Sequence, residues 1–273
     1  MDIDEPEDAR GREAGHVCRR FTSGPLVNGV RIDPVDEDSF LRTADDFLTC
    51  GRTTRKAHVI HFCAAHPTVE ARRDADYRDL LNRGDLNVAD GMPVAWAARR
   101  RGGPTLRLAG TDAMVALAAW GTSRDLRHYL YGATEETLVA MRANLEHRNP
   151  GIEVAGIESP PFRAIADDEL DETVARIRAA RADTVWIGLG APKQDVMGAR
   201  LSERDAAPLL FAVGAAFDFI AGTKTRAPAW MQRYGLEWMH RLGSEPGRLW
   251  KRYLVGNAQF VAGVAEDRLR GKR

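Results

Sequence analysis

The sequence predicts an α/β protein: a mostly parallel sheet with helices on both faces, followed by a helical C-terminal appendage. Two observations lead to this prediction. Short apolar strand-like runs alternate with amphipathic helical segments, which is typical of a parallel sheet whose strands are joined by helices. This alternation ends after residue 220, beyond which no strand-like run occurs. Ligand sites in such a sheet are expected at the carboxyl ends of the strands.

The chain is long enough to form one sizeable core. It has 273 residues, of which 44% are hydrophobic and 29% are charged, so we expect a folded soluble protein. Residues 1–22 are polar and charged and show no periodicity, which predicts a disordered acidic N-terminal tail.

Residues 23–222 are predicted to form the α/β domain. Its strands are predicted from short apolar runs bounded by turn-forming residues. In chain order they are 56–64, 85–89, 127–133, 151–157, 183–190 and 208–214. Between them, apolar residues recur at the spacing of an amphipathic helix. The predicted helices are 67–82, 92–101, 111–121, 135–148, 167–181 and 193–204.

Residues 223–273 are predicted to form the helical appendage, in which Trp230, Trp238 and Trp250 stand among arginines. One interpretation is an amphipathic helix pair that packs Trp and Leu on the core and leaves the arginines in water. Another is that the cations converge on an anion. The residues leave both interpretations open.

Charge is unevenly distributed along the chain, although the formal net charge is zero. Residues 1–50 carry 12 acidic and 6 basic side chains, whereas residues 224–273 carry 4 acidic and 11 basic ones. The overall balance does not indicate nucleic-acid binding, so we expect no nucleic-acid partner.

Cysteine usage favours a reduced, cytoplasmic protein. The chain has three cysteines, an odd number, and the spacing of Cys18, Cys50 and Cys63 is not that of a zinc finger. The N-terminus lacks the apolar core of a signal peptide. The longest apolar run, 208–217, is shorter than the roughly 20 residues that span a membrane. Any membrane contact is therefore expected to be peripheral.

Asp90 stands between the strand at 85–89 and the helix at 92–101, with Gly91 and Pro93 after it. The end of a parallel strand suits a catalytic carboxylate. Asp is also a favoured helix N-cap, and the residues taken alone favour that simpler role.

The segment GLGAPKQD, at 188–195, follows a strand and opens a helix. Gly188 and Gly190 allow the backbone to approach a ligand, and the free amides of the helix start could bind phosphate. The segment lacks the third glycine of a dinucleotide fingerprint and the Lys-Ser/Thr ending of a P-loop. A tight turn would explain the glycines but not Lys193 and Gln194.

A second segment, RLAGTDAM at 107–114, places Arg107 before a Gly-Thr turn. Thr111 suits a helix N-cap, and Asp112 suits the first helical turn, where a negative charge is stabilised. Helix capping does not explain Arg107, which is either a surface charge or an anion clamp.

His58, His61, Cys63 and His66 suggest a metal site, but on a strand His58 points away from His61 and Cys63. A three-ligand site that uses His66 after the strand is the remaining arrangement, and it is disfavoured. Asp74 and Asp76 resemble a metal-binding carboxylate pair, yet they lie in a helix-like surface segment. We therefore expect no metal.

Six collinear motifs between about residues 25 and 260 resemble those of the WecG/TagA/CpsF glycosyltransferase family. They are LNVADGMPV, RLAGTDAM, YGATEE, GLGAPKQD, FAVGAAFDFIAGTKTRAP and LEWMHRLGSEPGRLWKRY. The resemblance implies a Rossmann-like sheet and an inverting, cofactor-free enzyme of cell-surface polysaccharide synthesis. Such an enzyme moves a sugar, typically N-acetylmannosamine, from UDP to a polyprenyl-diphosphate-linked acceptor at the inner membrane face.

The resemblance also assigns roles to residues. Asp90 becomes the general base that takes the proton of the attacking hydroxyl. Without a metal, the charge of the departing UDP needs arginines and helix N-termini. The arginine candidates are Arg107, Arg241, Arg248 and Arg252. The other positions expected beside the substrates are Gly110, Asp112, Gly190, Lys193 and Gln194.

One segment departs from the family. Where many members have Thr-x-Asn after the second strand, this chain has His61-Phe62-Cys63. That site is expected near the substrates, so His61 and Cys63 are candidate substrate-binding residues and the donor or acceptor is expected to differ. His61 or His66 could also replace Asp90 as the base.

Two functions of different classes remain. The first is a glycosyltransferase that uses a UDP-sugar; the second is a non-catalytic UDP-sugar-binding or scaffold protein of an exopolysaccharide assembly system. Asp90 and Arg107 together favour the enzyme. The sugar stays open, because some members transfer glucose-type sugars, and a homo-oligomer is possible.

Overall fold

The computed structural model describes residues 24–104 and 106–270, without the side chains of residues 248, 252 and 270. The tail expected at 1–22 lies outside the described residues. The strands of the described part are β1 (Leu26–Val27), β2 (Val30–Arg31), β3 (His58–Cys63), β4 (Leu86–Ala89), β5 (Arg127–Gly132), β6 (Glu153–Glu158), β7 (Thr184–Gly188) and β8 (Leu209–Ala212).

Helices connect the strands and then continue to the end of the described chain. Up to residue 221 they are α1 (Glu37–Thr54), α2 (Ala65–Arg73), α3 (Ala75–Arg83), α4 (Met92–Arg99), α5 (Gly110–Thr122), α6 (Glu135–Arg148), α7 (Asp167–Ala179), α8 (Lys193–Ser202) and α9 (Ala216–Ala221). Beyond it they are α10 (Ala229–Arg233), α11 (Glu237–Ser244), α12 (Pro246–Trp250), a π-helical turn (Lys251–Val255) and α13 (Gly256–Arg270).

Six strands form one sheet in the order β4-β3-β8-β7-β5-β6, and every neighbouring pair is parallel. β1 and β2 form a separate antiparallel pair. The predicted fold class, an α/β protein with a parallel sheet and C-terminal helices, is confirmed. Because all six strands run the same way, their carboxyl ends lie along one edge of the sheet.

Both faces of the sheet are covered. Along β3, Ile60 belongs to an apolar cluster with α1, α5, α6 and α9, whereas its neighbour Val59 belongs to a cluster with α7 and α8. Alternate side chains of a strand point to opposite faces, so these clusters lie on the two sides. The double burial explains why a central strand such as β8, with the sequence LLFA, is continuously apolar rather than alternating.

The segment predicted as one helix at 67–82 forms two helices. Asp74 adopts an extended backbone that ends α2, and its side chain accepts a hydrogen bond from the Tyr77 backbone N–H (3.0 Å), which caps α3. A single capping residue does not change the helical spacing of the apolar residues around it, so this helix boundary cannot be predicted from that spacing. One carboxylate of the Asp74–Asp76 pair is thus used as a helix cap.

The β1–β2 pair and α1 were not predicted from the sequence. α1 begins with a capping box, in which Asp36 and Ser39 satisfy each other's backbone N–H groups. Its buried stripe includes Phe40, Phe47 and Leu48, and its other positions are mostly polar.

The C-terminal helix α13 packs on the α/β domain. Phe260 is 6% exposed and belongs to an apolar cluster with Val69 of α2 and Ala95 of α4. Arg72 of α2 pairs with both Glu266 and Asp267 of α13. These contacts fix the end of the described chain against helices that follow β3 and β4.

Candidate active site

A cavity of about 440 Å³ lies at the carboxyl edge of the sheet. It extends across the boundary between the neighbouring strands β5 and β7. From β5 the chain continues to β6 on one side of this boundary, and from β7 it continues to β8 on the other side. This is the place where open α/β sheets bind their ligands. The sheet side of the cavity is lined by Phe62, Asp90, Ala133, Phe162, Gly188, Gly190 and Val213, among others. The C-terminal helices contribute Gln232, Glu237, Trp238, Arg241, Tyr253 and Asn257.

Asp90 lies immediately after β4 and lines the cavity. It does not cap α4, because Gly91 holds the N-cap position there without a side-chain bond. Its Oδ1 instead accepts a hydrogen bond from the backbone N–H of Gly110 (2.8 Å), at the start of α5. The carboxylate is therefore fixed by another helix.

Burial raises the pKa of Asp90 above its ordinary value. The hydrogen bond from Gly110 and the nearby charges of Arg107, Arg241 and Arg226 oppose that shift only in part. A carboxylate with a raised pKa is a stronger base than an ordinary one, which suits proton abstraction near neutral pH.

Arg107 links Asp90 to the C-terminal helices. Its Nε donates to the Asp90 backbone oxygen (3.0 Å), and its Nη2 lies 3.3 Å from Oε2 of Glu237 in α11. Burial and the neighbouring Asp90 charge raise the pKa of Glu237. Arg241, from the same helix, also lines the cavity and lies over the Phe219 ring, with 5.6 Å from the guanidinium carbon to the ring centroid.

Asp112 is engaged away from the cavity. It forms a two-point ion pair with Arg226, in which the Nη2–Oδ2 distance is 2.7 Å. Neither residue lines the cavity, although Thr111, beside Asp112, does. The Asp112–Arg226 pair joins the start of α5 to the segment that precedes α10.

The GLGAPKQD segment forms the turn between β7 and α8. Gly190 has a φ of +76°, and a Cβ placed on it would meet no atom within 4 Å, so the turn is open at this point. Gln194 lines the cavity and is 4% exposed; its Nε2 donates to the Ala212 carbonyl (3.0 Å). Lys193 is exposed and is not a lining residue.

His61 and Cys63 do not line the cavity, whereas Phe62 between them does. His61 is 1% exposed, and its Nδ1 lies 2.8 Å from Oδ1 of Asp195. Cys63 is a buried free thiol whose pKa burial raises well above the ordinary value. His66 lines the cavity and lies 3.8 Å from Glu70.

The histidines suggested as metal ligands do not converge. His58 is stacked on Phe47, with 4.5 Å between ring centroids, and His61 faces Asp195. Across residues 24–104 and 106–270, no group of three or more His, Cys, Asp or Glu side chains is arranged to hold a metal ion.

The three tryptophans of the C-terminal segment have different environments. Trp238 lines the cavity, whereas Trp230 and Trp250 are 58% and 46% exposed. The side chains of Arg248 and Arg252 lie outside the described part of the structure. Among the described helices, none combines the length and apolar character that crossing a bilayer requires.

The cavity thus combines three carboxylates, Asp90, Asp218 and Glu237, with two arginines, Arg107 and Arg241. Such a set can accept a proton and stabilise an anion at the same place. Glu237, Gln232, Tyr253 and Asn257 were not predicted from the sequence as site residues. Glu237 lies in the motif that begins LEWMH, one of the six that resemble the family, and this position in a family motif could have marked it as a candidate site residue.

Comparison with known proteins adds two findings. The profile described as the glycosyl transferase WecG/TagA/CpsF family matches residues 26–273. An N-acetylglucosaminyldiphosphoundecaprenol N-acetyl-beta-D-mannosaminyltransferase of Bacillus spizizenii is 28% identical over 211 residues, covering 76% of this chain and 80% of the relative. A protein of the same name from Bacillus subtilis is 30% identical over 187 residues, covering 67% and 70%.

Proposed function

The chain belongs to the WecG/TagA/CpsF family of glycosyl transferases, and we propose that it moves a hexose from a UDP-sugar to a sugar on a polyprenyl diphosphate, with inversion. The hexose is N-acetylmannosamine or a related sugar. The names of the two Bacillus relatives support this sugar and an acceptor that carries N-acetylglucosamine on diphosphoundecaprenol.

The single observation that carries the proposal is the fixed carboxylate of Asp90 in a cavity with Arg107 and Arg241. The acceptor hydroxyl attacks the anomeric carbon, its proton passes to Asp90, and the bond from that carbon to the UDP oxygen breaks. Because Gly110 occupies Oδ1 and holds the group in place, Oδ2 is available to take the proton.

UDP leaves with the bonding electron pair and needs charge stabilisation. Arg107 and Arg241 are proposed to supply it, since guanidinium groups form charge-assisted hydrogen bonds to phosphate oxygens. Arg248 and Arg252 of the same segment are proposed to assist. No metal or other cofactor is required in this scheme.

The donor is proposed to lie against Gly190 and Gln194. Gly190 leaves open space at the β7–α8 turn, and the Gln194 amide offers a directional hydrogen-bonding group. Gly110 contributes indirectly, because its backbone N–H holds the carboxylate of Asp90 in place. The cavity volume of about 440 Å³ falls in the usual range for sites that hold small ligands.

The acceptor is proposed to be reached at the inner face of the plasma membrane by peripheral docking of the C-terminal segment. The exposed rings of Trp230 and Trp250 suit the interfacial layer, and the 11 basic side chains of residues 224–273 suit an anionic leaflet. The protein would thus be cytoplasmic. No nucleic-acid partner is proposed.

Transfer by the purified protein tests the proposal. UDP-N-acetylmannosamine and N-acetylglucosaminyl diphospholipid are incubated with it in EDTA, and UDP and the disaccharide lipid are measured. We expect both products, and we expect Asp90→Asn to lose about 10²–10⁴-fold in rate because the base is removed while bulk is kept. UDP binding by this variant should persist.

Asp76→Asn provides the matched control, because Asp76 is an exposed carboxylate outside the cavity. It should transfer at the wild-type rate. Near wild-type transfer by Asp90→Asn would remove Asp90 as the base, and activity that needs added Mg²⁺ would contradict a metal-free reaction. A protein that binds UDP-sugar but never releases UDP would be a binder rather than an enzyme.

A further inference from the structure

We propose that Asp195, His61 and Tyr77 form a positioning cluster that holds Gln194 in place for the donor substrate. The inference rests on the proposed function, because it takes the UDP-sugar as the ligand of Gln194. None of the three residues of the cluster lines the cavity, so they act through Gln194.

The cluster is buried, and each oxygen of the Asp195 carboxylate has a side-chain partner. Asp195 is 2% exposed, His61 1% and Tyr77 6%. One oxygen of Asp195 lies 2.8 Å from His61 Nδ1, and the other accepts a hydrogen bond from the Tyr77 hydroxyl (2.7 Å). A buried carboxylate is costly unless it is paired, so these contacts fix the start of α8 against β3 and α3.

Gln194 precedes Asp195 in the first turn of α8. Its amide orientation is determined, because the Ala212 carbonyl can only accept and therefore takes the Nε2 donor. Gln194 Oε1 is buried and has no partner among the described residues. A buried acceptor at the cavity wall without a protein donor fits an N–H or hydroxyl group of a ligand.

Gly214 leaves the room that this oxygen needs. A Cβ at Gly214 would lie 2.8 Å from Gln194 Oε1, so a side chain there would displace the amide. Gln194 is therefore confined by Gly214 and Ala212 on one side and by the anchored helix on the other. Its side chain can present Oε1 correctly only while α8 keeps its position.

Two side chains tie α8 to neighbouring elements at this turn: Asp195, which contacts His61 and Tyr77, and Gln194, which donates to Ala212. The Asp195 contacts do not depend on the Gln194 side chain, so they can hold it in place. The backbone bonds of the turn, from Gln194 N–H to Gly190 and from Asp195 N–H to Pro192, are internal to the turn and do not tie it to the sheet. Loss of the Tyr77 hydroxyl leaves one Asp195 oxygen without its donor. We expect this loss to shift the turn and to weaken donor binding rather than the chemical step.

Tyr77→Phe tests the proposal, with Tyr129→Phe as the matched control. Tyr129 also donates from a buried hydroxyl to a carboxylate, Glu158 (2.8 Å), but neither residue lines the cavity or contacts α8 through that bond. We expect Tyr77→Phe to raise KM for the UDP-sugar about tenfold with kcat changed less than about twofold. Tyr129→Phe should leave KM unchanged, even if both variants lose similar thermal stability.

A double-mutant cycle with Gln194→Ala separates positioning from a general loss of structure. If Tyr77 acts through Gln194, Tyr77→Phe should have no further effect on KM in the Gln194→Ala background. Additive effects, or equal KM changes in the two tyrosine variants, would overturn the inference. Wild-type protein that binds no UDP-sugar would overturn the proposed function as well, whereas normal binding by wild type and by Tyr77→Phe would overturn the inference alone.

Discussion

At the scale of single residues, Asp90 combines a structural bond with an unfavourable environment. Gly110 holds one oxygen, and burial keeps the pKa of the carboxyl above its ordinary value. In the unfolded chain this shift is absent. The charged form is therefore less stable in the folded protein, and the native state binds the Asp90 proton more tightly than the unfolded state does.

The shift predicts a pH-dependent gain of stability in Asp90→Asn. Above the folded-state pKa, wild type carries the buried charge and the variant does not, so the variant should unfold at a higher temperature at pH 7–8. The amide oxygen can still accept from Gly110. The gap should close as the pH falls through the folded pKa toward the ordinary Asp value.

Thermal unfolding of both proteins between pH 4 and pH 8 measures this difference. Asp76→Asn, at an exposed position, should show no comparable gap. A variant less stable than wild type at pH 8 would mean that the ionised carboxylate contributes to folding, contrary to the direction of the shift.

At the scale of elements, α13 is a structural part of the α/β domain and not only an attachment. Phe260→Ala should lower the free energy of unfolding by about 3 kcal/mol, because it leaves a cavity between α13, α2 and α4. Val261→Ala, one residue away and 66% exposed, should change it by less than about 0.5 kcal/mol. Urea unfolding monitored by circular dichroism compares the two variants. Equal effects would mean that α13 does not pack as described.

The elements were more predictable than the contacts among them. Central strands could be predicted because burial on both faces makes them continuous apolar runs, as in β8, whose sequence is LLFA. The split at Asp74 could not, because a cap needs only one side chain and does not interrupt the apolar period.

Contacts between residues that are distant in the chain could not be predicted from the sequence motifs. His61 is oriented by its contact with Asp195, 134 residues later. Asp112 forms an ion pair with Arg226, 114 residues later, and does not line the cavity. Glu237 reaches Arg107 across 130 residues. Motif order placed Asp90 and Gln194 at the cavity because Asp90 directly follows β4 and Gln194 opens α8 after the turn from β7. The fold class places both at the carboxyl edge of the sheet.

At the scale of the whole molecule, the C-terminal segment is predicted to bind anionic membranes. Exposed Trp230 and Trp250 should enter the interface, and each basic side chain near the surface should add about 1 kcal/mol of attraction. Co-sedimentation with phosphatidylglycerol liposomes should be strong at low salt and weak at high salt. It should decrease in Trp230→Ala and Trp250→Ala.

Val139→Ala is the control variant, since Val139 is 53% exposed but lies on α6, outside that segment. It should sediment like wild type. Equal sedimentation with phosphatidylcholine and phosphatidylglycerol liposomes would contradict an electrostatic docking surface. A truncation near residue 222 would not test membrane docking by itself, because it would also remove Leu249 and Phe260 from the core.

The cavity walls come from opposite ends of the chain. Phe62 and Asp90 are synthesised early, whereas Tyr253 and Asn257 are synthesised late. The Asn28 backbone N–H likewise donates to Asp267 of α13, 239 residues later. A ribosome must therefore release almost the entire polypeptide before the site can close. Nascent and prematurely terminated chains would lack one wall of the cavity, so we expect them not to bind a ligand that needs the complete site.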